Sequence, residues 1–140
     1  HLENGKIIKA ESPVITAQCF RVACLDGHMA AVFMKFQDGS KPSIEQIKAD
    51  WAAFRGPAQE LELPSAPKQF LHYFEEDNRP QTKLDRNLEH GMAISLGRLR
   101  EDSQYDYKFV GLSHNTLRGA AGGAVLLAEL LCAKGYIEAK

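Results

Sequence analysis

The apolar positions of the chain recur with two periods. Apolar and polar residues alternate from Met92 to Arg98 and again over Tyr107 to Leu112, the pattern of strands with distinct faces. Two further apolar runs, Val14 to Leu25 and His28 to Phe36, flank Asp26-Gly27, and Asp-Gly between such runs signals a tight hairpin. A short strand is expected near Gln69 to Phe74. The helical period appears in Ile44, Ile47, Trp51 and Phe54, spaced 3, 4 and 3. Ser43 and Gln46 stand ahead of it with capping-box spacing, and Arg55-Gly56-Pro57 is expected to close it. Residues 57–67 read as a loop. Residues 75–90 read as a long, polar, turn-rich connection of the kind that carries function, contacts a partner or is mobile. The order is ββαβββα, an α+β layout with a mainly antiparallel mixed sheet, one short helix on a face of it and a C-terminal helix.

That last helix, about Thr116 to Lys134 and ended by Gly135, is apolar nearly all round. Leu117, Ala121, Ala124, Ala128 and Leu131 form one stripe, and Val125, Leu126, Leu127 and Leu130 spread over the rest. Such a helix expects burial on nearly all sides. Gly119, Gly122 and Gly123 weaken it by about 1 kcal/mol each and make sense where something must approach closely. Either it is a core helix with small packing residues, or it docks on something outside the chain. The expectation is burial against a second copy. Strands such as Met92 to Leu99 also need cover on both faces, more than the helix at 43–54 can give.

Composition narrows the classes. The 140 residues suit one domain, and 17 basic against 18 acidic side chains leave no electrostatic footprint for nucleic acid. No apolar run reaches the length of a membrane-spanning helix, and the first residues lack the marks of a signal peptide. Cys19, Cys24 and Cys132 form no CxxC pair. They argue for a reducing, cytoplasmic setting and against zinc, and they read as small buried hydrophobes rather than nucleophiles.

Candidate chemistry lies at the hairpin. If Asp26-Gly27 closes a two-residue turn, Arg21 and His28 share a face, roughly 13 Å apart along the strand. An Arg fork can hold a carboxylate, and a His is the usual acid–base group, so a small acidic substrate could touch both. An exposed hairpin face with a solvated Arg and His fits the same spacing.

The segment Arg21-Val22-Ala23-Cys24-Leu25-Asp26-Gly27-His28 resembles the Arg-to-His segment of aspartate-semialdehyde dehydrogenases. Ser95-Leu96-Gly97-Arg98-Leu99-Arg100 is similar to their Gly-Arg strand, and His114-Asn115-Thr116-Leu117-Arg118-Gly119-Ala120-Ala121-Gly122 to the start of their terminal helix. Leu63-Pro64-Ser65-Ala66-Pro67 and Arg79-Pro80-Gln81 look like the archaeal and fungal branch. Ala23 stands where the family commonly has Pro, and Cys24 where it has an aliphatic residue.

The resemblance implies a fold like the C-terminal domain of glyceraldehyde-3-phosphate dehydrogenase. It implies Arg21 as the anchor of the substrate carboxylate, His28 as the acid–base catalyst, and Asn115 near the nicotinamide of NADP, besides capping its helix. It implies a chain that pairs with itself as a homodimer, with a tetramer as the alternative in the full enzyme, and substrates aspartate semialdehyde and phosphate. The family's Gly-rich nucleotide loop and nucleophilic Cys turn do not occur in this sequence. The expectation is therefore the C-terminal portion of a longer enzyme, inactive alone and with no cofactor of its own. Residues 1–113 would be part of the catalytic and dimerisation domain, and 114–140 the terminal helix that packs on the NADP-binding domain. N-acetyl-glutamyl-phosphate reductase, which shares the plan, and a non-catalytic α+β dimerisation module are the alternatives.

Overall fold

The computed structural model describes residues 1–37 and 39–138. Its centre is a four-stranded sheet in the order β3-β6-β5-β4, formed by β3 (His28–Met34), β4 (Leu71–Phe74), β5 (Ile94–Glu101) and β6 (Tyr107–Ser113). β6 pairs antiparallel with both β3 and β5, and β4 pairs parallel with β5. A separate two-stranded ribbon, β1 (Leu2–Glu3) with β2 (Lys6–Ile7), begins the chain. The α+β class, the mixed sheet and the strands at 69–74, 92–98 and 107–112 agree with the periodicity.

The strand pairing divides the sheet into two faces. Val32 pairs with Phe109 and Met34 with Tyr107, so β3 shows these to the same side as its neighbours do. α1 (Ile44–Ala53) covers that side. Its Trp51 lies 5.8 Å from the Tyr73 ring and 5.1 Å from that of Phe109. Buried Ile47, Leu99 and Tyr107 fill the layer between helix and sheet. Ser43 starts α1 as expected, its hydroxyl accepting from the Gln46 N–H at 3.1 Å. The stop differs. The chain turns extended at Phe54, and Gly56 instead begins α2 (Pro57–Glu60), a short helix inside the segment expected to be plain loop.

The opposite face is covered by the polar connection at 75–90, which carries α3 (Thr82–Asp85). Its anchor is a buried ion pair. Arg79 Nε donates to both oxygens of Asp85, at 3.0 and 2.8 Å, its terminal nitrogen adds a further contact, and the Gln81 N–H donates to the same carboxylate at 2.7 Å. Burial alone would raise the Asp85 carboxyl, but the guanidinium and the N–H outweigh it and hold it below the usual range. The Arg79 guanidinium also stacks 4.4 Å over the Phe74 ring. The segment seals Ser95 and Leu112, each 1% exposed. Met92 to Leu99 therefore finds cover on both faces within the chain. The open part is the β3 side of this face, where Met29 is 51% and Phe33 54% exposed.

The expected hairpin does not form. Residues 8–27 carry no regular structure, and Val14, Ile15, Phe20, Val22 and Leu25 are exposed. The turn itself is missing: a type I′ turn needs positive φ at both Asp26 and Gly27, and only Gly27 has it, while β3 remains an edge strand paired on one side with β6. Cys19 and Cys24 are exposed with the segment, and Cys132 lies on the outer side of the last helix, so none is the buried hydrophobe the pattern suggested.

The terminal helix is α4 (Gly122–Ala133), entered through a wider turn at Leu117–Ala121 and stopped at Gly135. It docks one face on its own chain, where Leu126 meets Leu63 and Met92, with Ala58, Ala66 and Leu130 around them. Glu129 ties it down by accepting from the Ser65 hydroxyl at 2.6 Å and N–H at 2.9 Å. Gly122 is where Met92 comes close, since a Cβ there would lie 2.7 Å from its sulfur. The docked face is Gly122, Leu126 and Leu130, not the stripe through Ala121, Ala124 and Ala128, which stays exposed. Val125 at 52% and Leu127 at 55% remain open, so the helix is ordered on one side and bare on the other.

Candidate active site

His28 is the first residue of β3, directly opposite Ser113 at the end of β6. It lies on the α1 side of the sheet but at the far end from the Ile47–Tyr107 layer, and it is exposed. The backbone before it is tightly set. Gly27 is buried with φ +105°, a conformation that L side chains rarely adopt. A Cβ there would come within 3.1 Å of both Leu112 and Thr82. The Cys24 thiol reaches the Gly27 carbonyl at 3.5 Å.

Asn115 joins this point from the other end of the chain. Its Oδ1 accepts from the Gly27 N–H at 3.0 Å. The expected helix-capping role belongs instead to the residue before it. His114, only 5% exposed, accepts at Nδ1 from the N–H groups of Thr116 and Leu117, both at 3.2 Å. A His one position ahead of an Asn-Thr helix start gave little sign of this, because Asn and Thr are the commoner caps. So the fold brings His28 and Asn115 together through Gly27.

It does not bring Arg21 to them. Arg21 lies exposed in the irregular segment, without the shared strand face expected for it and His28. Among the described residues no group of three or more His, Cys, Asp or Glu could hold a metal ion, and no helix is long and apolar enough to cross a membrane. A groove of about 310 Å³ runs along α4, lined by Phe54, Phe70, Gly123, Leu126 and Leu127, with the Arg118 guanidinium 4.6 Å over the Phe70 ring.

Comparison with known proteins places this architecture. The semialdehyde dehydrogenase dimerisation-domain family matches residues 2–118. The chain belongs to that family. The semialdehyde dehydrogenase relatives are similar along nearly all of it. The aspartate-semialdehyde dehydrogenase of Saccharomyces cerevisiae is 45% identical over 132 residues, covering 94% of this chain and 36% of that protein. The enzyme of the same name from Methanothermobacter thermautotrophicus is 41% identical over 132 residues, covering 93% and 37%. The Candida albicans aspartate semialdehyde dehydrogenase, whose crystal structure was solved with NADP, superposes with a TM-score of 0.73 at 43% identity, over 80% of this chain and 31% of that one. The chain thus spans about a third of the length of the curated relatives it matches.

Proposed function

We propose that this chain is the C-terminal part of an NADP-dependent aspartate-semialdehyde dehydrogenase, working in the cytoplasm as a dimer or larger oligomer. The observation that carries the reading is the 45% identity over 132 residues with an enzyme of that name. The Arg21-to-His28 segment, matching the family's substrate-binding and acid–base positions, supports it.

In the complete enzyme the aldehyde carbon is attacked by a thiolate from the preceding region, and phosphate releases the acyl group as aspartyl phosphate; physiologically the sequence runs in reverse. NADP, when bound, supplies the hydride acceptor. His28 moves the proton on and off the carbonyl oxygen, which its exposed position at the strand end allows. Arg21 clamps the substrate carboxylate and holds the aldehyde in line for attack. With NADP bound, Asn115 would offer its amide NH2 to the nicotinamide. The residues present fit only that edge of the cofactor, since the chain contains no Gly-rich phosphate loop. The 140-residue chain alone should not turn over.

We further propose that residues 114–140 pack on the nucleotide domain through the bare side of α4, where Val125 and Leu127 lie open. The dimer surface is the open face of β3. Met29 and Phe33 stand exposed on it, and Phe33 lies 5.9 Å from the ring of exposed Tyr105. The experiment is a phosphate-dependent NADP reduction assay with aspartate semialdehyde. The complete enzyme should be active and the 140-residue chain inactive. Turnover by the chain alone would overturn the division of labour.

A further inference from the structure

The start of β3 and the head of the terminal helix meet at one peptide group. The Gly27 N–H donates to Asn115 Oδ1 at 3.0 Å, across 88 positions of sequence. On the other side of the same glycine lie the side chains of Leu112 and Thr82, near enough that a Cβ would touch both at 3.1 Å. The next residue is His28, held opposite Ser113, which precedes Asn115 by two positions. The peptide that launches His28 is thus wedged from one side and hydrogen-bonded from the other.

Asn115 is itself fixed. The buried His114 ring accepts from the two N–H groups that follow Asn115, and the His114 carbonyl accepts from the Gly119 N–H at 2.9 Å. The turn has little freedom left, so the Asn115 amide is presented in one place. Its polarity is also determined. A backbone N–H can be satisfied only by an acceptor, so the carbonyl end faces Gly27, and among the described residues no acceptor takes the NH2 end.

We infer that Asn115 is a positioning residue for His28. Its Oδ1 holds the Gly27 peptide and thereby sets the direction in which the imidazole leaves the strand. Its NH2 remains free to donate to an acceptor oxygen. The two ends of one amide therefore serve two tasks, and removing the side chain disturbs the acid–base group as well as any bound acceptor. The kinetic part of this inference rests on the acid–base role proposed for His28; the geometric part does not.

Two variants separate the ends. Asn115→Asp keeps the acceptor, and Asn115→Ala removes it. In the 140-residue chain, amide hydrogen exchange followed by NMR should show Gly27 protected alike in the wild type and Asn115→Asp. In Asn115→Ala the same amide should exchange roughly fivefold faster or more, the worth of one lost hydrogen bond. The His28 ring signals should move with it in the Ala variant. Equal Gly27 exchange in wild type and Asn115→Ala overturns the inference. In the complete enzyme, Asn115→Ala should lower kcat roughly ten- to a hundredfold at saturating NADP and displace the pH profile of kcat, as expected of a misdirected acid–base group. A folded Asn115→Ala enzyme with unchanged kcat and pH profile also overturns it. A His28→Ala enzyme with wild-type kcat would instead refute the acid–base reading and leave the exchange result intact.

Discussion

Removing the Asp85 carboxylate should cost substantial stability. Asp85→Ala deletes an acceptor that is 3% exposed and takes three donor groups: the Arg79 Nε and terminal nitrogen, and the Gln81 N–H. Arg79 keeps 24% of its side chain exposed and can turn to water, so the orphan is chiefly the Gln81 N–H. The loss is then one strong charged contact plus one stranded backbone donor, about 2–4 kcal/mol. It should not stop there, because α3 carries Thr82 against Gly27 and seals Ser95, whose hydroxyl sits 3.5 Å from the Asp85 carbonyl. For a domain of this size the expected fall in Tm is about 6–16 °C, read by circular dichroism at pH 7. The sign with pH follows from the depressed carboxyl. Its contribution is present above the ordinary carboxylate range and vanishes as pH falls through the lower folded value, so wild type and variant should converge in acid. An Asp85→Ala chain melting within 2 °C of wild type at pH 7 would refute the anchoring role.

The other expectations concern separate parts of the fold. Trp51→Ala should destabilise by about 2–4 kcal/mol in urea unfolding, because it empties the contact between α1 and the Tyr73 and Phe109 rings. His114→Ala should cost about 1 kcal/mol and loosen the amides of Thr116 and Leu117 first, visible as faster hydrogen exchange there. Phe33→Glu should shift self-association toward the 15.5 kDa monomer in light scattering while leaving the melting cooperative; an unchanged oligomer would move the interface elsewhere. In the complete enzyme, Arg21→Leu should raise the KM for aspartate semialdehyde roughly 10- to 100-fold with kcat changed less.

Local signals in this chain were legible where the partner of each element lay nearby in the pattern. α1 showed its spacing and its cap because both are set within a dozen residues, and β5 and β6 showed their alternation. The segment at 14–25 was misread for the converse reason. Its apolar run and Asp26-Gly27 favour a hairpin locally, but Asp26 does not take the positive φ that a type I′ turn needs, and the Gly27 peptide is held by Asn115, 88 positions later. Periodicity carries no information about such distant contacts. The same holds for the 75–90 connection. Its polarity suggested a loop, and only the pairing of Arg79 with Asp85 turns it into a cover for the sheet. The Arg21-to-His28 and Asn115 segments were recognisable as motifs, yet their placement was not. The fold joins His28 to Asn115 and leaves Arg21 in the irregular segment.

The acid–base role of His28 is the centre of the functional reading, and the turnover number of the complete enzyme carrying His28→Ala tests it most directly. Measured at saturating aspartate semialdehyde, phosphate and NADP, with folding verified by circular dichroism, kcat should fall by about 10²- to 10⁴-fold. The KM for the semialdehyde should change little, because the carboxylate is proposed to bind Arg21. A folded His28→Ala enzyme that keeps the wild-type kcat would contradict the account.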